Sequence, residues 1–324
     1  MAGLLSTIGK HTASEDSAFE YLVEQGLLAK ERRCSKCYPA PNLSLIRRSD
    51  IADGWTWRCS LRGCRTKVSI RKDSFFSQSK LRLTTWIKLM YLWASDIPVT
   101  KVRCHLDDGE CSTTTAVDAY YLIRDIYTGK LLASPVLLGG PGIVVQIDES
   151  LMRHNHKYNR GRGPLDHIWV FGMLDTSLSP GVGYMEVVDK RDAAMLLPII
   201  QQHTRPGTII HSDQWAAYRD PAARLPTVAC HRTVNHSRHF VDPQTGAHTQ
   251  AVESYWNSVK SKLKSMRGTT DGMLPGHLDE YMWRERWGSG ANGWMNAQTA
   301  YNSLVRHICT MRMRRKIFYV AVYV

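Results

Sequence analysis

The chain has no run of about eighteen apolar residues, the length a helix needs to cross a bilayer, so it offers no membrane-spanning candidate. Its opening residues, MAGLLSTIGKHTASED, are apolar over too short a stretch and turn acidic too soon for a secretory signal peptide. Together these absences predict a soluble, intracellular protein without a membrane partner. No internal repeat or low-complexity tract is visible, which excludes a solenoid and a compositionally disordered chain. Acid is scarce as well. Asp+Glu number 29 against 42 Lys+Arg, a net charge of +13, the balance expected of a protein that meets a polyanion. Charge alone does not separate nucleic acid from an acidic membrane surface. Its distribution is uneven: thirteen Lys/Arg face four acids between Lys30 and Lys80, and MRMRRK (311–316) is a second basic cluster.

At 324 residues the chain is long enough for two or three units, each with its own core. Eight cysteines in an intracellular chain point to metal ligands or buried thiols before disulfides. Cys34, Cys37, Cys59 and Cys64 form C-x2-C, a 21-residue gap and C-x4-C, the pattern of two knuckles closing on one tetrahedral Zn²⁺. About forty residues need such a staple in place of a full core. Arg47, Arg48, Arg58, Arg62 and Arg65 lie within this module and suit contact with a DNA backbone.

Periodicity predicts a short amphipathic helix over 14–29, capped by Ser14 or Asp16, and β-prone pieces around Trp55–Trp57 and Lys67–Ile70. Helices over 84–95, 99–106 and 113–127 follow, the last with Ala116, Tyr120, Ile123 and Tyr127 on one face. Three short helices in a basic context suggest a helix-turn-helix unit, with 113–124 as the reading helix and Arg124 among its contacts. The Gly/Pro-rich segment 134–142 marks a boundary. Beyond it come strands at 143–147, 167–175 and 182–188, a helix over 192–203 that contains Pro198, a strand at 208–211 and a long helix from about 249 to 266. Pro198 either kinks its helix or marks a later start.

This order of elements is that of a ribonuclease-H-like α/β fold, a mixed sheet flanked by helices. Asp148 ends the first of its strands, Asp213 follows the fourth, and Glu253 sits on the late helix beside the stripe of Val252, Tyr255, Trp256, Val259 and Leu263, close to the core. Acids beside an apolar sheet are costly unless paired or bound to cations. Two hard divalent ions held by such carboxylates activate a water or 3′-hydroxyl and stabilise the leaving oxygen in attack on a phosphodiester. Taken singly, a strand-terminal Asp often only caps a turn and a helical Glu is usually solvated; it is the ordered set of three that argues for chemistry. Glu149 points to the opposite strand face by alternation, and Asp175 and Asp189 read as turn residues.

The blocks IVVQIDES (143–150), TIIHSDQWAAY (208–218), VNHSRHFVDPQTGAHTQAVESYWNSVKSKLK (234–264) and HLDEYMWRERWG (277–288) resemble the DDE domain of the Merlin superfamily of transposases and its bacterial insertion-sequence relatives. The resemblance spans about 143–288. It implies Asp148, Asp213 and Glu253 as the catalytic, metal-holding triad, with 39 residues between the last two, and dependence on Mg²⁺ or Mn²⁺. It further implies cut-and-paste strand cleavage and transfer on double-stranded DNA, namely terminal inverted repeats and a target, by a homodimer or larger assembly. The expected location is nuclear in a eukaryotic host and nucleoid-associated otherwise.

His236 and His248 lie within a resembling block and are assigned to phosphate contact or support of the triad; a second metal site at Cys230, His231, His236 and His239 does not match a zinc spacing. The loop RHNHKYNRGRG (153–163) adds Arg153, Lys157, Arg160 and Arg162 as DNA-facing residues. The expected organisation is an N-terminal helix (1–30), a zinc ribbon (31–75), a helix-turn-helix-like unit (80–135), the catalytic domain (140–290) and a C-terminal basic tail (291–324). The alternatives are a domesticated DNA-binding protein that no longer transposes, or a nuclease or resolvase of the same fold.

Overall fold

The computed structural model describes residues 4–153, 167–266 and 270–312. In chain order its main elements are α1 (Leu4–His11), α2 (Glu15–Glu24), β1 (Ser44–Arg47), β2 (Trp55–Arg58), β3 (Lys67–Ser69), α3 (Leu83–Ala94), α4 (Thr113–Ala133), β4 (Val144–Arg153), β5 (Ile168–Asp175), β6 (Val182–Val188), α5 (Ala193–His203), β7 (Thr208–Asp213), α6 (Pro221–Arg224), β8 (Val228–Val234), α7 (Gln250–Ser265), α8 (Leu274–Trp287) and α9 (Ala297–Arg312). They fall into two compact units, Met1–Lys130 with Asn296–Val324, and Leu131–Met295. No helix among the described residues is long and apolar enough to cross a membrane.

In the first unit β1, β2 and β3 form an antiparallel sheet of that order. The predicted pieces at 55–57 and 67–70 are its second and third strands; β1 has no counterpart among the predicted elements, because SLIR is too short to show alternation. Ser14 caps α2 by accepting from Ser17 N at 3.1 Å. Asp16, the other candidate cap, instead accepts from Trp55 Nε1 at 2.8 Å and pairs with Arg47 at 2.8 Å. Helix α3 is buried on nearly every side. Its N-terminus has no cap of its own, and Glu15 supplies one, accepting from Leu83 N at 3.2 Å and from the Thr84 hydroxyl at 2.7 Å. The helix expected over 99–106 is a 3-10 stretch, Val99–His105. In α4 the predicted face holds, with Ala116, Ile123 and Tyr127 buried and Tyr120 donating to Ile97 O at 3.1 Å. Within the segment from 291 stands α9, which packs against α3.

The second unit is a mixed α/β layer built on a five-stranded sheet of order β6-β5-β4-β7-β8. Strands β4, β5 and β6 run antiparallel, whereas β4, β7 and β8 pair in parallel. Valines, isoleucines and aromatics supply the β-branched and bulky positions of β4 and β5, and Val145, Ile147, Val170, Phe171 and Met173 are all fully buried. Helix α5 starts at Ala193 behind an Asp192 cap, which accepts from Met195 N at 2.9 Å, so Pro198 stays inside it and does not mark its beginning. The Gly/Pro-rich segment 134–142 is tied into this unit: Gly139 N donates to Asp175 Oδ2 at 2.8 Å and Gly140 N to Thr208 Oγ1 at 3.0 Å. A side chain at Gly139, whose φ is +71°, would collide with Thr208. Asp175, read from the sequence as a turn residue, is the buried last residue of β5, and it also accepts from Ser177 N and Oγ of the following turn at 2.9 and 2.6 Å.

Candidate active site and metal centre

Register brings the first two acids together. The parallel β4–β7 pair aligns Val144 with Ile209 and Gln146 with His211; carried two residues further, Asp148 stands beside Asp213. Equal parity puts both side chains on one face. Glu253 comes from α7, which packs over β4 and β5 on that face. The three acids interact electrostatically: burial first, then the charges of Asp213 and Glu253, push the Asp148 carboxyl up to about 6, against the downward pull of the Glu149 backbone and the Trp256 indole. Trp256 Nε1 donates to Asp148 Oδ2 at 3.2 Å. Contrary to the expectation that Glu253 lies close to the core, its side chain is 51% exposed. It projects from the first turn of α7, where Thr249 Oγ1 donates to its Oε1 at 2.8 Å and His236 Nε2 stands 3.6 Å away.

What holds α7 in place is a polar residue in the middle of β4. Gln146 is 1% exposed, and its Oε1 accepts from Ala251 N at 3.0 Å and Val252 N at 3.1 Å. It thereby serves the orphan donors that Thr249 leaves uncapped. With its oxygen so occupied, Nε2 donates to His248 Nδ1 at 3.1 Å. Two strand glycines complete the seat. A Cβ on Gly172, the register partner of Asp148, would lie 2.3 Å from the Trp256 ring, and one on Gly183 would lie 2.4 Å from Tyr255. Substituting Gln146→Leu keeps the volume and strips the buried N–H groups of their acceptor. It is expected to cost about 2–3 kcal/mol and to lower the melting temperature of this unit by roughly 5–10 °C. Unchanged thermal melting would show that the strand does not anchor the helix.

On the opposite face Glu149 lies near Tyr218, whose ring meets Phe171, the register partner of Glu149, at a tilt of 40°, so alternation placed it correctly. Burial pushes its carboxyl up to about 7; Asp148 and Asp213 add to this, and the Tyr218 hydroxyl and Arg191 offset part of it. Neither Glu149 Oε1 nor Tyr218 OH completes a hydrogen bond of ordinary geometry. Another buried acid has no signal in the sequence. Glu285 on α8 accepts from Tyr255 OH at 2.9 Å and from Gly183 N at 3.4 Å, and burial pushes it up to about 8 from an ordinary 4.5. The folded state therefore holds this proton more tightly than the unfolded chain. Its contribution to stability is complete below about pH 4.5 and is lost as pH climbs toward 8. Glu285→Gln should flatten that part of the profile, gaining on the order of 2 kcal/mol over the parent at pH 8 relative to pH 5. Parallel melting curves across that range for parent and variant would refute it.

The other centre lies in the first unit. Among the described residues, the group of His, Cys, Asp or Glu ligand atoms that all fall within 4.8 Å of one another is Cys34, Cys37, Cys59 and Cys64; the three acids are spread more widely. The Cys34–Cys64 and Cys37–Cys59 sulfurs are each 3.8 Å apart. A tetrahedron of sulfurs about 2.3 Å from zinc has edges of about 3.8 Å, so the four thiols fit that ion. Cys34 N donates to Pro41 O at 2.9 Å and Cys64 N to Leu61 O at 3.1 Å, which closes the two knuckles. Thr66 Oγ1, 3.2 Å from Cys64 Sγ, favours the thiolate there.

The predicted DNA contacts fare unevenly. Arg58, Arg62 and Arg65 are exposed around the cysteine cluster. Arg47 is paired with Asp16 and lies over the Trp55 ring at 5.3 Å, and Arg48 is paired with Asp50. Arg124 donates to Tyr127 OH at 2.9 Å and covers Tyr121 at 4.8 Å, so its own helix engages it. His236 Nε2 meets Thr249 Oγ1 at 2.8 Å; since that hydroxyl donates to Glu253, the ring is the donor in a His236–Thr249–Glu253 chain. His248 stands over Gln146 and edge-on to His211. Cys230, His231, His236 and His239 form no such ligand cluster among the described residues. The Arg153 side chain, Lys157, Arg160 and Arg162 lie outside the described residues, as does most of the 311–316 basic cluster.

Residues 138–287 match the family model of the ISXO2-like transposase domain, just under half of the chain. An uncharacterized transposase-like protein of Haemophilus influenzae is 28% identical over 101 residues, which is 31% of this chain and 78% of that protein. Among solved structures, the catalytic core domain of BIV integrase is similar at 15% identity and a TM-score of 0.32, covering 52% of this chain and 97% of its own. The simian T-cell lymphotropic virus intasome in complex with PP2A regulatory subunit B56 gamma is similar at 13% identity and a TM-score of 0.30, covering 66% of this chain and 74% of its own. The sequence matches support the transposase family, and the domain that carries the match is the one that carries the three acids.

Proposed function

We propose that this chain is a DNA transposase that cleaves and joins strands at transposon ends, with Asp148, Asp213 and Glu253 as its catalytic acids. The observation that carries the reading is the convergence of the three acids on one face of the mixed sheet, inside the segment that matches a transposase domain. The strand order β6-β5-β4-β7-β8, three antiparallel then two parallel, supports a ribonuclease-H-like core. All three donors are carboxylates, the ligands of hard divalent ions, and the like charge around Asp148 is what a cation offsets. Bound there, Mg²⁺ or Mn²⁺ would supply charge neutralisation for in-line attack on a phosphodiester. The chain's own residues do the positioning. Trp256 fixes one oxygen of Asp148, the Trp215 backbone N–H fixes Oδ1 of Asp213 at 3.0 Å, and Thr249 with His236 orients Glu253.

In this reading a Zn²⁺ on the four cysteines folds an amino-terminal reader of the ends, α4 and its neighbours contribute a helix-turn-helix-like contact, and two ends are paired by a dimer or larger assembly. The test is the full chain with Mg²⁺ and duplexes that end in the inverted repeats flanking its gene. Cleavage at the repeat boundary and joined products are expected. Specific binding without cleavage would favour a domesticated DNA-binding protein, and cutting of branched junctions irrespective of the repeat would favour a resolvase.

A further inference from the structure

Next to Asp213 stands a layered stack whose side chains have no part in the carboxylate chemistry described above; only the Trp215 backbone N–H enters it. Trp215 is 43% exposed, although large aromatics are normally drawn inside. It is held in place at both ends: its backbone N–H donates to Asp213 Oδ1 at 3.0 Å, and its indole Nε1 donates to Arg191 O at 3.2 Å. The Arg191 guanidinium lies over the Trp169 ring at 3.6 Å from its centroid and over the Trp215 ring at 5.2 Å. A cation thus joins two indoles, Trp169 from β5 and Trp215 from the turn after β7. The outer indole is tethered and partly open to solvent, two residues from a candidate catalytic acid.

A rigid exposed indole backed by a cation has the chemistry of a nucleobase platform. Bases stack on aromatic faces regardless of sequence, and the guanidinium adds attraction for the adjoining phosphate. A base inside a duplex offers no free face; one that is unpaired does. The geometry points to Trp215, supported by Arg191 and Trp169, as the site that receives an unpaired DNA base next to the strand being cut. This rests on the transposase reading above for its choice of DNA as ligand.

The experiment uses the full chain with Ca²⁺ in place of Mg²⁺, to permit binding while suppressing cleavage. Two otherwise identical end duplexes are compared, one fully paired and one with a single unpaired thymidine at the repeat boundary. The parent is expected to prefer the unpaired duplex by about tenfold, Trp215→Ala to lose that preference, and Trp215→Tyr to keep most of it. Placing 5-iododeoxyuridine at the unpaired position should also yield a photo-cross-link to the peptide that contains Trp215. A parent with no preference, or a Trp215→Ala variant that retains it, would overturn the platform. The transposase reading stands or falls separately, on whether Mg²⁺-dependent cleavage of the paired duplex requires Asp148.

Discussion

Asp148→Asn, Asp213→Asn and Glu253→Gln are each expected to lower strand cleavage by about a thousandfold or more while DNA binding survives. Each substitution removes one charge and keeps the shape, so local packing gives no alternative cause for a loss. In Asp148→Asn the amide oxygen can still accept from Trp256 Nε1, and in Glu253→Gln it can still accept from Thr249 Oγ1. Because Asp148 is held against like charges, withdrawing a neighbouring carboxylate relieves repulsion. Stability and affinity for the DNA phosphates should therefore stay level or rise while turnover collapses. Single-turnover cleavage, with binding measured on the same preparations, separates the two quantities. Near-normal cleavage by any one variant would remove that acid from the set.

The second large effect concerns the four cysteines. Elemental analysis is expected to find one zinc ion per chain, and Cys34→Ser with Cys59→Ser to abolish it. In small zinc modules the ion contributes about 10–16 kcal/mol of apparent binding energy, which is folding energy for residues with little core of their own. Within the strands of the three-stranded sheet the one buried apolar side chain is Trp57, so its loss on chelation should be complete. End binding should weaken with it, and the melting of the unit 131–295 should not move. Zinc retained by the double variant, or a joint collapse of both units, would contradict the assignment.

The parts that sequence revealed are those whose signal is local. Cysteine spacing survives folding, so the ligand cluster could be named from C-x2-C and C-x4-C and is found assembled. Asp148 was legible because it follows the apolar run 143–147, although β4 continues to Arg153 and so holds it inside the strand and not at its end; Asp213 because it comes shortly after the TIIH run and closes β7; and α7 because its stripe repeats at helical spacing. The parts that stayed hidden depend on partners far along the chain. Gln146 reads as an ordinary interruption of a strand until Ala251 and Val252 arrive. Gly172 and Gly183 look like weak points in β5 and β6 and turn out to be the floor for Trp256 and Tyr255. Glu285 sits among charged neighbours in RERW and gives no hint of burial. Strand β8 was missed because VACHRTV alternates poorly, with intermediate exposure along most of its length. Glu253 was placed too deep because a first-turn residue beside an apolar stripe can point along the helix axis toward solvent.

The Gln146 clamp has an evolutionary corollary. Since β4 itself grips the start of α7, the third acid takes its position from the sheet, and the chain between β8 and α7 does not have to measure out a distance. Closing a longer loop costs little, about 0.6 kcal/mol for each doubling of its length. The stretch from Ser237 to Gly246, between the His236 that orients Glu253 and the buried Ala247, is accordingly expected to tolerate insertions or deletions, so that the number of residues separating the second and third acids can change while their arrangement in space is kept. Across proteins that differ in this way, a glutamine at the position of Gln146 would be a better guide to where the last acid lies than any fixed count from Asp213.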